Sequence, residues 1–253
     1  MKRGSENMHW RHMPVCDMVL AYNHRRYDMT ARRMFLDLET LPAIHWDEGR
    51  RAAYAARKVP ANYKKPEAIQ KWMATKGSKL WQETSLNPLH GRLCCVCYAL
   101  DDAEPVLLWA DTPETEREAL EHVAGVIQRN SPRLVAHNGF RFDFPYLRAR
   151  AMALGMYGLA IRLRKGKPWA STLVDTYYSW TEGARTPGNM TDLCELLQIE
   201  DDDTISGADV YRLWATGDEA DRALIGDHCV QDVVKLRAVF GKLLKGGYIE
   251  GEK

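Results

Sequence analysis

Hydrophobic and polar positions alternate with a period of two over Met34-Phe35-Leu36-Asp37-Leu38-Glu39, the signature of a half-buried strand whose two carboxylates point to the same side. Leu41-Pro42 ends that strand. Arg92 to Leu100 and Pro105 to Trp109 read as two further strands, joined into a hairpin by the turn Asp101-Asp102-Ala103-Glu104. Leu134-Val135-Ala136 is a short buried strand broken by Asn138-Gly139, and Leu173 to Tyr177 reads as a last strand or an extended lead into helices.

Helical spacing takes over between these strands. Thr112-Pro113-Glu114 offers a capping hydroxyl and a first-turn proline, followed by Leu120, Val123, Ala124 and Ile127. Phe144, Leu147, Ala151 and Leu154 mark another helix, stopped by Gly155. Asn189 or Thr191 can cap a helix through Leu197, Ser206 one through Trp214, and a long final helix runs from about Glu219 to Leu244. Between Trp46 and about Pro88 the chain turns rich in Arg, Ala, Lys and Glu, which predicts two helical stretches around a break at Val59 to Tyr63. This is an insertion after the first strand.

Strands alternating with helices predict an α/β fold, and 253 residues fit one such domain carrying an insertion. The expected organisation is an extension over 1–33, a domain over 34–245 with its insertion at 46–88, and a tail over 246–253. An apolar fraction of 45% beside 27% charged residues suits a packed core with a polar surface. The six cysteines do not form the spaced pairs of a disulfide framework, and Cys94-Cys95-x-Cys97 lacks a second ligand pair for zinc, so strand cysteines in a reducing cytoplasm are expected. No run of apolar residues approaches the ~20 needed to span a bilayer, so no membrane partner is expected.

A net charge of +1 gives no overall attraction to nucleic acid, so any phosphate contact must come from local clusters. The run Arg162, Arg164, Lys165, Lys167 is the best placed of these, with Arg164 and Lys165 at its centre. The acids carry more information. Asp143 falls where the chain leaves a strand and starts a helix, at the carboxyl end of the sheet, and there it either caps the helix or serves a site. Asp232 follows His228 by four residues on one face of the final helix, beside the apolar stripe Ile225, Cys229, Val233, Leu236 and Phe240. Asp37, Glu39, Asp143 and Asp232 are hard oxygen ligands from three separate elements. That set suits two Mg²⁺ ions about 3.5–4 Å apart, the device that cleaves phosphodiesters. His228, with an ordinary pKa near working pH, is expected to orient or deprotonate the attacking water. Asp175 and Asp201-Asp202-Asp203 are read as strand-end and solvated-loop residues.

Taken in order, Phe35-Leu36-Asp37-Leu38-Glu39-Thr40, Asn138-Gly139-x-x-Phe142-Asp143-x-Pro145-Tyr146-Leu147 and His228-Cys229-x-x-Asp232-Val233 resemble the three motifs of the DEDD superfamily of 3′–5′ exonucleases. The chain is most similar to stand-alone predicted exonucleases akin to the proofreading domain of family-B DNA polymerases. Ala61-Asn62-Tyr63-Lys64, Leu86-Asn87-Pro88-x-x-Gly91 and Ile205-Ser206-Gly207-x-x-Val210 extend the resemblance over roughly residues 34–243. It departs at one position: the superfamily places a Tyr four residues, or a His five residues, before the last Asp, whereas here His228 stands at the Tyr spacing and Asp227 at the His position.

The resemblance implies a ribonuclease-H-like fold, a mixed central β-sheet flanked by helices. It also implies two Mg²⁺ or Mn²⁺ ions held by the four acids, and release of nucleoside monophosphates from single-stranded or frayed DNA 3′ ends, with a DNA polymerase or replication proteins as possible partners. By the same resemblance Thr40 and Leu41 face the terminal nucleotide, and Asn138 and Phe142 flank the leaving base or position the second motif. A 3′–5′ exoribonuclease uses the same metal chemistry, and an inactive nucleic-acid-binding or polymerase-docking module would share the fold, so both stay open as alternatives.

Overall fold

The computed structural model describes residues 32–164, 172–184 and 188–249. Residues 1–31 of the extension expected over 1–33, and Lys165 and Lys167 of the basic run, lie outside them. Five strands, β1 (Arg33–Leu41), β2 (Arg92–Leu100), β3 (Val106–Trp109), β4 (Arg133–Ala136) and β5 (Leu173–Asp175), form one sheet in the order β3-β2-β1-β4-β5. β1 pairs antiparallel with β2, and β2 with β3, whereas β1–β4 and β4–β5 are parallel. The fold is therefore α/β with a mixed sheet and helices on both faces, as the ribonuclease-H-like expectation required.

The period-two pattern of β1 sorts its side chains between two cores. Met34, Leu36 and Leu38 join a cluster with Leu120, Val123 and Leu147, contributed by α3 (Pro113–Asn130) and α4 (Asp143–Ala153). On the other face Phe35 packs with Ile225, Cys229, Val233, Leu236 and Phe240 of the 27-residue α9 (Glu219–Lys245), the stripe that the spacing predicts. Each such fully buried aliphatic side chain contributes about 1.5–3 kcal/mol. Asp37 and Glu39 share the α9 side, where they pair across the sheet with Cys97 and Cys95. These small thiol side chains let α9 approach: Cys229 Sγ lies 3.7 Å from Asp37 Oδ2. All five described cysteines are buried and unpaired, in keeping with strand and core positions.

The insertion is helical on both sides of its break, with α1 (Glu48–Ala56), α2 (Pro66–Gln82) and a 3₁₀ turn (Glu83–Leu86). It has its own small core of Ala43, Trp46 and Trp81, fastened where Trp81 Nε1 donates to the Ala43 carbonyl at 3.0 Å. Gly91, at the end of this segment, permits a close approach that no other residue would. A Cβ there would meet the Tyr146 hydroxyl and lie 2.7 Å from the Thr84 carbonyl and 2.9 Å from that of Leu41.

Caps set several helix starts. Thr112 forms a capping box with Thr115 ahead of α3, and Asn189 does the same with Asp192 ahead of α7 (Met190–Leu197). Ser206 differs from expectation: its hydroxyl donates to Asp209 across a turn, and α8 (Val210–Trp214) begins only after it. Two short helices, α5 (Tyr157–Arg162) and α6 (Thr176–Thr181), flank β5 in sequence, and α5 takes in Arg162, the start of the basic run. Past α9, Ile249 is 4% exposed and packs within the second core. Among the described residues no helix is long and apolar enough to cross a membrane.

Candidate active site

Where β1 reaches its carboxyl end, a cleft of about 600 Å³ opens between the 137–142 segment, α9 and the loop that precedes α8. Asp37, Glu39 and Asp232 line it, and Asp143, 2% exposed, stands behind it in the first turn of α4. The sheet alternation places Asp37 and Glu39, the strand-to-helix junction Asp143, and the helix face adjoining the apolar stripe Asp232. Glu39, His228 and Asp232 bring ligand atoms within 4.8 Å of one another, a set able to hold a metal ion.

The electrostatics of this convergence are unfavourable without added positive charge. Burial raises the Asp37 carboxyl well above its ordinary range, and the charges of Asp232, Asp143 and Glu39 push it in the same direction. Burial likewise raises Asp143, reinforced by Asp175, Glu39 and Asp232. Glu39 is pushed up to about 7, chiefly by burial and against the hydrogen bond from His228. Asp143 Oδ1 is buried and has no hydrogen-bond partner, an arrangement that costs about 1–3 kcal/mol unless a donor or a cation meets the oxygen. A buried carboxylate with an orphaned oxygen, in the field of further carboxylates, suits a hard divalent cation.

His228 is held from both ring nitrogens. Nδ1 lies 2.5 Å from Asp203 Oδ2 and Nε2 lies 3.1 Å from Glu39 Oε1, with Asp232 Oδ2 at 4.0 Å. Burial opposes the charged ring, but the hydrogen bond and charge of Glu39, with Asp232 and Asp203, raise His228 to about 9. The imidazole thus shares a pocket with the acids, although it stands where one branch of the resemblance has Tyr and one residue later than the other has His.

Lys235 was not foreseen. Only 4% exposed, it extends its ammonium to Asp232 Oδ1 at 2.7 Å and to Asp201 Oδ1 and Asp203 Oδ2, each at 3.0 Å. The expectation that Asp201 and Asp203 are solvated-loop residues is therefore corrected: both are partly buried and tie their loop to α9, whereas Asp202 is exposed. The available signal was Lys235 three residues beyond Asp232, on the same helix face.

Asp175 ends β5 as expected, and it also builds the second motif. Its carboxylate accepts backbone N–H bonds from Asn138 at 3.0 Å, Phe140 at 2.8 Å and Tyr178 at 3.0 Å. Asn138 takes φ +58°, a conformation that Asn tolerates better than most residues. Gly139 leaves room for Ala136 and Phe144, whose side-chain atoms would lie 2.6 and 2.8 Å from a Cβ. His137 is neutral, its pKa lowered to about 4 by burial, and it meets the Thr176 hydroxyl at 2.9 Å.

Of the expected substrate contacts, Thr40, Asn138 and Phe142 line the cleft. Phe142 also packs against the first core and touches the Tyr146 ring, so it serves packing as well. Leu41 does not reach the cleft: it is wholly buried in the second core. The register of β1 against β2 slips between Glu39 and Thr40, and the simple alternation ends there. Arg164 is exposed on a separate groove together with Arg148 and Ile161.

Comparison with known proteins places the fold. In three dimensions the chain is similar to the family B DNA polymerase from the hyperthermophilic archaeon Pyrobaculum calidifontis, with a TM-score of 0.56 and 18% identity, over 85% of this chain and 24% of that one. The chain thus spans about a quarter of that polymerase's length, and at this identity the likeness concerns the fold. No curated protein matches the sequence. A family model does, over residues 80–244, which include β2 to β5, Asp143, His228 and Asp232, and by that match the chain belongs to the RNase_H superfamily.

Proposed function

We propose that the chain is a metal-dependent 3′–5′ exonuclease that hydrolyses the terminal phosphodiester of single-stranded or frayed DNA and releases nucleoside monophosphates, its exonuclease unit being residues 34–245 with 46–88 inserted. One observation carries this reading: Asp37, Glu39 and Asp232 from β1 and α9 line one cleft, and Asp143 of α4 is buried beside them with its Oδ1 left without a partner. The order of the three motifs and the fold likeness to a family B DNA polymerase support the choice of substrate.

In this proposal Asp37, Glu39, Asp143 and Asp232 hold two divalent ions, Mg²⁺ or Mn²⁺. Bound there, the ions supply neutralisation of the charge that develops on the attacking and leaving oxygens. The chain's own residues do the rest. Asp203 anchors His228 at Nδ1 and leaves Nε2 directed at the acids, where water would attack. With the ions held by the acids, Nε2 would orient or deprotonate the attacking water. Lys235 holds Asp232 in place, and Asp175 fixes the backbone from which Asn138 and Phe142 face the terminal nucleotide.

The test is cleavage of a 5′-labelled single-stranded DNA with Mg²⁺, with Mn²⁺ and with EDTA, wild type against Asp37→Ala. A metal-dependent ladder shortening from the 3′ end, absent in the variant, is expected. Folded protein that binds the strand but yields no ladder in either metal would overturn the reading in favour of a binding module, and faster degradation of a matched RNA would reassign the substrate.

A further inference from the structure

A second groove, of about 610 Å³, lies on the face of α4 turned away from the first core, against α5 and the segment that follows the 3₁₀ turn. We infer that this groove is the track for the single strand upstream of the nucleotide being removed, an inference that rests on the exonuclease reading. It continues from the acidic cleft along two pieces of chain. Leu86 of the 3₁₀ turn lines the cleft, and Pro88 and Leu89 line the groove. On α4, Phe142 lies at the cleft, and Pro145, Ala149 and Met152 follow at helical spacing along the groove. At a rise of 1.5 Å per residue, Met152 lies about 13 Å along the helix from Asp143.

The lining has two characters that suit an unpaired strand. Its apolar side chains are exposed to a degree a stable surface seldom shows: Leu89 79%, Ile161 64% and Met152 53%, with Leu86 at 66% on the cleft side. Faces of this kind receive unstacked bases, which hide their own apolar surface there. Its charged side chains are all arginines. Arg150 is committed to Glu116, at 2.6 Å, whereas Arg148 and Arg164 have no acidic partner among the described residues, and no Asp or Glu lines the groove. Arg141, exposed at the cleft, extends the same positive edge toward the scissile end. Acids gather where cations would bind and arginines where only phosphates would pass, and that separation favours a nucleic-acid strand over a protein partner.

The experiment compares a dinucleotide with a 12-nucleotide single strand as substrates for wild type and for Arg148→Ala/Ile161→Ala, with Arg164→Ala read on the longer strand as a second variant. Expected is a loss of roughly tenfold in kcat/KM on the longer strand, mostly in KM, with dinucleotide hydrolysis by the double variant unchanged. The dependence of KM on salt should also flatten, by about 0.7 in log–log slope for each phosphate contact removed. Long-strand kinetics equal to wild type in both variants would overturn the inference and leave the face to a protein partner. If wild type cleaves neither substrate, the exonuclease reading fails, and anisotropy of the labelled strand still decides the groove: affinity unchanged in both variants overturns it.

Discussion

Replacing Lys235 with methionine removes one charge from the network that balances the acids while keeping most of the side chain's length. The ammonium lies within 3.0 Å of Asp201, Asp203 and Asp232, whose side chains are 11–17% exposed against 5% for the lysine. Burial works against the charged amine, yet hydrogen bonds and charge from the three acids raise its pKa above the usual lysine range. Lys235→Met leaves three partly buried carboxylates without their cation, next to a cluster already crowded with like charge. Removing one partner of a buried ion pair costs about 3–5 kcal/mol, and the residual exposure of the acids points to the lower end, about 3 kcal/mol. For a chain of this size that corresponds to a fall in Tm of roughly 6–12 °C. Calorimetry in EDTA reads it directly, and under the proposed function the same variant assayed with Mg²⁺ should show at least a tenfold drop in cleavage rate, because Asp232 is no longer held. A Tm within about 2 °C of wild type would refute the reasoning, since the acids would then be solvated in solution and not dependent on Lys235.

Asp203→Asn is expected to lower kcat by about 10- to 100-fold with KM and metal affinity little changed, because the ring of His228 loses its anchor while the four acids stay in place. Steady-state kinetics beside metal titration separate the two effects. Asp175→Ala strips three backbone N–H groups of their acceptor; a loss of about 1–3 kcal/mol in denaturant unfolding is expected, together with lower activity although no proposed ligand is touched. Asp111 gives a pH test away from the site. Burial pushes its carboxyl up, but hydrogen bonds from Arg222 and Trp214 and the Arg222 charge bring it below the ordinary range. A depressed carboxylate stabilises the fold above its unfolded pKa of about 3.9 and loses that contribution as pH falls through the lower folded value. Asp111→Asn should therefore be less stable than wild type at neutral pH, and the gap should close as pH drops below about 4.

The strand and helix that carry the proposed chemistry were legible in the residues alone. Alternation in β1 put Asp37 and Glu39 on one face, the stripe from Ile225 to Phe240 set the buried side of α9 and hence the placement of Asp232, and Thr112 and Asn189 announced their helices. These are local facts: a period, a cap or a turn depends on neighbours a few residues away, and the backbone realises it wherever the segment lies. Tertiary structure alone decided what each charge meets. Asp203 lies 25 residues from His228 and 32 from Lys235, and nothing periodic in the loop that carries it signals burial. Leu41 continues the strand's alternation in sequence, but the register slip beside it and the packing of the second core keep it from the cleft. Arg164 belongs to a basic run in sequence, yet α5 carries it to a different groove from the acids. Periodicity records which face of an element is apolar, whereas the partner of a buried charge is fixed by which elements pack against one another, over separations that no local pattern spans.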